Sequence, residues 1–352
     1  MDVGLKDAKE ALDKIIRKGR VHLYKPIHIA EILYYSRNKL ADIRIDELDT
    51  YRTISRKWRD EVSLRLVGRK STSSARYQDD VFNENAMPPH LLALLDAENK
   101  RKDGVVEAYI YHRLKQRLQD VADAYDYLNQ SSENEFSLGD FLNYFEQRPG
   151  LKRSVGKAYE IVVYALFSTL VEELKATVSL TLENPDPEVL DDFALFAEYV
   201  LGVNKDNTVI ERPARIYRGG VANAADRGLD MWTNFGPAVQ VKHLRLDAEL
   251  ADDITEEVAT EEVVIVCKTA EADLIRSLLN QIGRRIRGVI TQDDLLHWYE
   301  LCLTKYKNRL GDKVLKHLRN EFVQEFPSSQ ELLPFLRERG YTITPLSGQW
   351  QL

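Results

Sequence analysis

Residues 229–246 read Leu-Asp-Met-Trp-Thr-Asn-Phe-Gly-Pro-Ala-Val-Gln-Val-Lys-His-Leu-Arg-Leu, and this stretch decides the fold. Its first part, 229–232, and its last part, 239–246, have the pattern of β-strands. Residues 233–237, which join them, include Asn, Gly and Pro, which are typical of a turn. The stretch therefore predicts two neighbouring antiparallel strands.

Helices and a further strand flank this strand pair along the chain. Val155–Leu174 is almost wholly apolar, which predicts a buried helix. Residues 262–268 contain the run Val-Val-Ile-Val, which is typical of a strand in the centre of a sheet. Further patterns predict a strand at 176–183 and helices at 187–201, 271–282 and 291–305. This order predicts an α/β (α+β) fold, with a mixed β-sheet flanked by helices.

The N-terminal part of the chain is predicted to be mainly helical. Apolar residues recur at helical spacing in 5–18, 27–40, 50–67 and 104–128, whereas 68–89 has the composition of a loop. The polar segment 129–135 is the best candidate for a domain boundary. We expect a helical region at 1–135, the mixed sheet at 150–305 and a helical appendix at 306–352.

Composition places the chain among ordinary globular proteins. It has 352 residues, of which 44% are hydrophobic and 30% charged. No run of 18 apolar residues occurs, so no membrane span is expected, and residues 1–18 lack the apolar core of a signal peptide. Cys267 and Cys302 lie in apolar segments, which predicts buried, reduced thiols in a cytoplasmic protein.

Charge is distributed unevenly, although the net charge is only −7. Residues 1–76 contain 18 Lys and Arg against 11 Asp and Glu, whereas residues 247–262 contain eight acids and no base. Such a distribution can hold DNA at one place and keep it away from another.

Three polar residues of the strand pair suggest a catalytic site. Gln240 and Lys242 are two apart on one strand, so they face the same side, and Asp230 lies on the neighbouring strand. Mg²⁺ prefers oxygen ligands, which Asp230, the Gln240 side chain and the Val241 carbonyl would supply. Lys242 would orient the attacking water and stabilise negative charge in the transition state. This grouping suits hydrolysis of a phosphodiester bond.

Each of these residues also has an ordinary structural interpretation. Asp230 can shape a turn, Gln240 can be a polar residue of an edge strand, and Lys242 can lie on a solvated strand face. Three features favour the catalytic site: the strand pair, the preceding buried helix and the glycine-rich segment 219–228 that leads into the first strand. His243 is expected to point to the opposite face, and His297 is expected to be packed within its helix.

Two short segments resemble the metal and catalytic positions of the PD-(D/E)xK nuclease superfamily: Gly228-Leu229-Asp230 and Gln240-Val241-Lys242. In this chain, glutamine stands in place of the second acid of the motif. This resemblance covers about residues 150–305. Across its length the chain resembles the type II restriction endonucleases of the HaeII type. The resemblance implies a bacterial, cytoplasmic, Mg²⁺-dependent enzyme that cleaves double-stranded DNA. It also implies a homodimer acting on a palindromic site with a GCGC centre, a purine at one end and a pyrimidine at the other.

Glutamine removes one negative charge from the metal site, which another carboxylate could replace. Glu160 lies within the apolar helix before the strand pair, where several members of the superfamily place a metal-binding acid. An acid in an apolar helix is costly unless it is paired or binds a metal. Alternatively, Glu160 reaches solvent or an arginine. Asp226 is a weaker candidate, because an Asp near Gly often shapes a turn.

Two basic clusters are candidates for contacts with DNA. Residues 52–76 contain eight bases against two acids, and residues 284–287 contain three bases. Lys and Arg bind phosphates, and Arg also reads guanine edges. The alternative is an ordinary solvated helix and loop. The candidates are Arg52, Arg56, Lys57, Arg59, Arg65, Arg69, Lys70, Arg76, Arg284, Arg285 and Arg287.

Two other functions compete with sequence-specific restriction. A repair or recombination nuclease would use the same chemistry on DNA of unusual structure. A DNA- or protein-binding factor would retain the fold without the chemistry. The large region outside the predicted core favours sequence recognition, and the set Asp230, Gln240 and Lys242 argues for an enzyme.

Overall fold

The computed structural model describes residues 3–71, 74–219, 229–257, 261–280, 285–328 and 330–352. They form a mixed sheet, a small antiparallel sheet and many helices, so the predicted α/β (α+β) class is confirmed. The helices are α1 (Val3–Lys18), α2 (Tyr24–Arg37), α3 (Ile54–Val67), α4 (Ala75–Asp79), α5 (Pro89–Arg101), α6 (Val105–Gln130), α7 (Leu138–Gln147), α8 (Val155–Leu174), α9 (Pro187–Asp192), α10 (Ala194–Phe196), α11 (Ala248–Glu257), α12 (Ala272–Asn280), α13 (Gln292–Leu303), α14 (Asp312–Glu325) and α15 (Leu332–Glu338). The strands are β1 (Thr177–Thr181), β2 (Val209–Pro213), β3 (Ile216–Arg218), β4 (Met231–Thr233), β5 (Ala238–Arg245), β6 (Val263–Thr269) and β7 (Ile286–Thr291).

The main sheet has the strand order β3-β4-β5-β6-β7. Strands β3, β4 and β5 are antiparallel neighbours, and β5, β6 and β7 are parallel neighbours. The predicted strand pair is confirmed as β4 and β5, and Gly236 in the turn between them has a φ of 123°, which favours glycine. Strand β6 is buried along most of its length, as its apolar run predicted.

The chain divides into two compact units. Unit 1 contains Met1–Tyr159 and Arg319–Leu352, and unit 2 contains Glu160–Gly220 and Ala225–Leu318. Residues 221–224 lie outside the described part of the chain. The predicted segment 306–352 is thus divided between the two units, and the predicted division into three regions stays a prediction.

Unit 1 is a helical unit with a buried charge network. The Glu107 carboxylate is fully buried and accepts hydrogen bonds from Arg37 Nε at 3.0 Å and Asn99 Nδ2 at 2.5 Å. The Tyr341 hydroxyl donates to the same carboxylate. A buried charge is tolerated only when it is paired and hydrogen-bonded, and these partners meet that requirement.

Unit 2 is built around the main sheet. Ile265 and Cys267 of β6 pack with Ala251 of α11 and Leu278 of α12 in one apolar core. Burial raises the pKa of the Cys267 thiol to about 11, and it does the same for Cys302. The prediction of buried, unbridged thiols is therefore confirmed.

Several elements differ from the sequence-based predictions. Strands β2, β3 and β7 and the acidic helix α11 were not predicted, and the predicted loop 68–89 contains α4. The predicted helix at 187–201 is interrupted, because α9 and α10 are followed by a π-helical turn at Ala197–Leu201. The prediction that His297 is packed was wrong, since this residue is exposed on α13.

Helix α8, together with the turn before it, is long and apolar enough to cross a membrane by length and composition. Within Lys152–Leu174, a stretch of 18 residues has a mean hydropathy of 1.3, and 67% of that stretch is buried inside the protein. Such burial is typical of a core helix, which is what its apolar sequence predicted.

Candidate active site

The backbone of the main sheet brings Asp230 next to strand β5. Asp230 directly precedes β4, and Met231 of β4 is paired with Val239 of β5. The Gly219 amide donates to the Asp230 carbonyl at 2.8 Å, which extends the pairing of β3 and β4 by one step. The Asp230 side chain in turn accepts a 2.8 Å hydrogen bond from the Val241 amide at Oδ2.

The same hydrogen bond orients the Val241 carbonyl. In a β-strand the amide and carbonyl of one residue point toward the same neighbouring strand. Since the Val241 amide points to Asp230, its carbonyl points to that side as well. A carboxylate and a main-chain oxygen, both predicted metal ligands, therefore approach the same edge of β5.

Gln240 supplies the least ordinary feature of the site. It is only 3% exposed, and its Oε1 atom is buried without a hydrogen-bond partner among the described residues. A buried acceptor left unpaired costs about 1–3 kcal/mol, so native proteins rarely leave one without a reason. An unpaired buried oxygen on the residue next to Val241, whose amide binds Asp230, is suited to a cation.

Lys242 lies two residues beyond Gln240 on β5 and is half-buried. Side chains two apart on a strand share one face, so its ammonium lies on the face of Gln240. His243 is also half-buried, and the alternation of the strand directs it to the opposite face. The structure thus places an acid, an amide oxygen and an ammonium on two neighbouring segments of one sheet.

Glu160 is 8% exposed on α8 and takes part in a polar interaction. In the described residues, no group of three or more His, Cys, Asp or Glu side chains is arranged to hold a metal ion. An ion at Asp230 would therefore depend on amide and main-chain oxygens in addition to carboxylates. The assignment of Glu160 as a ligand stays a prediction, and Asp226 lies outside the described residues.

Most arginines of the first basic cluster are engaged within unit 1. Arg52 and Arg56 both bind Asp79, with distances of 3.0 Å and 2.7 Å. The buried Arg59 binds Asp60 at 2.6 Å. The Arg56 pair, together with a 2.8 Å hydrogen bond from Arg59 Nη2 to Gln78 Oε1, fixes α3 against α4, which is a structural task.

Two further arginines of this cluster bind the C-terminal part of unit 1. Arg65 forms an ion pair with Glu338 at 2.7 Å, and Arg69 donates to the main-chain carbonyl of Glu325 at 3.3 Å. Three predicted DNA-binding residues remain exposed without an ion pair in the described part of the chain: Lys57, Lys70 and Arg76.

The second basic cluster begins outside the described residues, because Arg284 is not among them. Arg285 is exposed just before β7, and Arg287 is exposed on β7, where it pairs with Glu262 at 2.8 Å. The cluster therefore lies at the start of an edge strand of the main sheet, rather than in a loop alone.

Sequence reasoning did not include two aromatic residues near Asp230. Trp232 follows Asp230 by two residues, and Tyr217 is its partner on β3. The spacing from Asp230 would have placed Trp232 on the same face, but the partner strand β3 has only three residues and was not recognised.

Comparison with known proteins shows the family to which the chain belongs. The family model of the HaeII restriction endonucleases matches residues 8–341, so the chain belongs to the HaeII restriction endonuclease family. It is therefore an enzyme of the type II restriction class, a site-specific deoxyribonuclease. The chain is 49% identical over 340 residues to the type II restriction enzyme HaeII of Haemophilus aegyptius, covering 95% of this chain and 96% of that enzyme. It is 48% identical over 342 residues to the type II restriction enzyme NgoBI of Neisseria gonorrhoeae, covering 96% of this chain and 97% of that enzyme. No solved structure matches the chain.

Proposed function

We propose that this enzyme hydrolyses phosphodiester bonds of double-stranded DNA at a short palindromic site, with Mg²⁺ as cofactor. Asp230, Gln240 and Lys242 are its proposed catalytic residues. One observation carries the proposal: the Asp230 carboxylate accepts a hydrogen bond from the Val241 amide, and the preceding residue, Gln240, has a buried side-chain oxygen without a partner among the described residues.

The residues at this point fit a divalent metal ion, which membership of a restriction endonuclease family also suggests. Asp230 Oδ1 and Oδ2, Gln240 Oε1 and the Val241 carbonyl are the proposed ligands, with Glu160 as a further carboxylate. All are oxygen atoms, as Mg²⁺ prefers, and the ion would satisfy the unpaired amide oxygen. When bound, such an ion polarises the phosphoryl oxygen and acidifies a bound water.

Lys242 is the proposed positively charged side chain of this site, in addition to the metal ion. Its ammonium group would donate hydrogen bonds to the attacking water and to the phosphoryl oxygens, which gain negative charge in the transition state. Its half-buried position on β5 limits the screening of this charge by solvent. Gln240, held on the same strand face, would keep the reacting groups aligned.

We further propose that the enzyme acts as a homodimer in the bacterial cytoplasm. Two-fold protein symmetry matches a palindromic DNA site, and the resemblance to HaeII-type enzymes suggests a GCGC centre flanked by a purine and a pyrimidine. The proposed phosphate contacts come from the exposed Lys57, Lys70 and Arg76. The other predicted contacts within the described residues, among them Arg285 and Arg287, require their present partners to be exchanged for phosphate.

The test is to incubate the protein with long duplex DNA and Mg²⁺ and to sequence the fragment ends. We expect discrete fragments with one shared palindromic end. EDTA should abolish cleavage, and Lys242→Ala should reduce its rate by at least about 100-fold while DNA binding persists. Lys268→Ala is the matched control, because Lys268 is also half-buried but lies on the neighbouring strand β6.

Two outcomes would contradict the proposal. Cleavage by Lys242→Ala at the rate of the wild type would remove Lys242 from the catalytic set. Cleavage confined to branched substrates, offered in a parallel reaction, would favour a structure-specific repair nuclease.

A further inference from the structure

A stacked pair of aromatic rings lies exposed on the main sheet. Tyr217 of β3 is paired with Trp232 of β4, and their ring centroids are 5.8 Å apart with an interplanar angle of 19°. Tyr217 is 38% exposed and Trp232 is 43% exposed. We call this pair the aromatic platform.

The aromatic platform shares a face with the candidate active site. The bond from the Gly219 amide to the Asp230 carbonyl continues the pairing of β3 with β4, so Asp230 extends the same strand. Residues two apart on a strand lie on one face, about 7 Å from each other. Trp232 therefore lies beside the Asp230 carboxylate, on the side where the scissile phosphate would be bound.

Hydrogen bonds to Asn234 hold the backbone around the platform in place. Asn234 Oδ1 accepts from the Arg215 amide at 2.7 Å, and its Nδ2 donates to the Pro213 carbonyl at 3.0 Å. The Thr233 hydroxyl donates to the Pro237 carbonyl at 2.9 Å. The rings are thus presented by a rigid strand end rather than by a loose loop.

The charge beside the platform suits a polyanion. Residues 212–218 contain three arginines and no acid, and Arg212 and Arg215 are exposed. Exposed aromatic rings combined with arginines form the usual surface for nucleic acid, because the rings contact sugars and bases while the guanidinium groups bind phosphates.

We propose that the aromatic platform packs against the deoxyribose and base of the nucleotide next to the scissile phosphate, and so positions the DNA strand at Asp230 and Lys242. This inference rests on the proposed DNA cleavage at this site. Tyr217 and Trp232 act here as positioning residues. An aromatic pair across two strands also stabilises a sheet, but that role requires neither exposure nor a response to DNA.

Tryptophan fluorescence tests the proposal directly. The other tryptophans are buried or half-buried: Trp58, Trp298 and Trp350. Acrylamide should quench Trp232 in the free protein, and duplex DNA containing the site, added in EDTA, should protect it. In Trp232→Phe, the part of the tryptophan fluorescence that DNA protects from acrylamide should be missing.

Affinity provides the second measurement. Trp232→Ala and Tyr217→Ala should each weaken DNA binding in EDTA by about tenfold and raise KM more than they lower kcat. Trp232→Phe should restore most of the affinity. Tyr199→Ala is the control for loss of an exposed ring, since Tyr199 is 76% exposed and lies outside the main sheet.

The outcomes separate this proposal from the proposed function. DNA binding with unchanged quenching of Trp232 and unchanged affinity of Trp232→Ala would overturn the platform and leave the nuclease proposal intact. A protein that shows protection by DNA but does not cut would keep the platform and remove the proposed chemistry. Absence of DNA binding would overturn both.

Discussion

In the proposed site, Gln240 has an uncharged oxygen at the position of the second acid in the PD-(D/E)xK pattern. Two carboxylates close together repel each other when no cation is bound, and one of them is then driven to take up a proton. With glutamine at this position, that repulsion does not arise. The site can therefore fold without metal at the cost of one unpaired amide oxygen.

His28 makes the stability of unit 1 dependent on pH. It is buried on α2, where its Nε2 atom contacts Ser55 Oγ at 2.7 Å. Burial, followed by the nearby Arg59 and Arg56, lowers the pKa of His28 from 6.5 to about 3. Because the unfolded chain takes up a proton below pH 6.5 and the folded chain does not, the contribution of neutral His28 is complete above pH 6.5 and decreases as the pH falls.

We therefore expect the stability difference between the wild type and His28→Gln to shrink below pH 6.5, by up to about 2 kcal/mol between pH 6.5 and pH 5. Urea unfolding at pH 7.5 and pH 5 measures this difference. His297→Gln is the control, because His297 is exposed. Equal differences at both pH values would contradict the assignment.

The sequence predicts where a side chain of the site points only when the spacing along one strand or turn determines it. The alternation of a strand places Gln240 and Lys242 on one face, and a short turn returns the chain beside Asp230. The engagement of Arg56 by Asp79 could not be predicted, because it depends on the packing of residues 23 positions apart. The lack of a hydrogen-bond partner for the Gln240 oxygen could not be predicted either, because it depends on all the side chains that surround it.

At the scale of elements, helix α13 begins with a reciprocal cap. The Thr291 hydroxyl accepts from the Asp294 amide, and the Asp294 carboxylate accepts from the Thr291 amide at 2.8 Å. This cap matters for unit 2, because α13 also holds α8 through a 2.9 Å bond from the Tyr299 hydroxyl to the Val162 carbonyl.

Thr291→Ala removes the capping hydroxyl and should lower the free energy of unfolding of unit 2 by about 1 kcal/mol. Thr291→Ser keeps the hydroxyl and should retain most of the stability. Urea unfolding, followed by the fluorescence of Trp298 on α13, gives the measurement. Equal stability of the alanine and serine variants would exclude a capping role.

The elements that were predicted from the sequence have strong local patterns. The apolar runs of α8 and β6 and the turn between β4 and β5 are properties of adjacent residues. Strand β3 has only three residues, and β7 contains Gly288 and follows a basic segment, so neither has a recognisable pattern of its own. Both are strands because they pair with β4 and β6, which is a tertiary effect.

At the scale of the whole molecule, the distribution of charge predicts how DNA binding depends on salt. Lys57 and Lys70 are exposed in unit 1, whereas the acidic residues of α11 belong to unit 2. Each Lys–phosphate contact releases condensed counterions and adds about 0.9 to the slope of log affinity against log salt.

We expect Lys57→Ala and Lys70→Ala each to reduce this slope by about 0.9 and to weaken binding to all DNA sequences alike. Fluorescence anisotropy over a range of salt concentrations measures the slope. Lys205→Ala is the control, because Lys205 is already paired with Asp191. Unchanged slopes would show that these lysines do not contact phosphate in the complex.

Unit 1 is assembled from both ends of the sequence, and this has a consequence for biosynthesis. Trp350 is fully buried and donates to Glu98, Tyr341 donates to Glu107, and Arg339 binds the buried Glu31 at 3.2 Å. During translation the ribosome delivers strands β4 and β5 of unit 2 before these partners exist. The buried acids of unit 1 therefore lack these C-terminal partners until residues 339–350 have emerged, so unit 1 is completed only after strands β4 and β5 have been made.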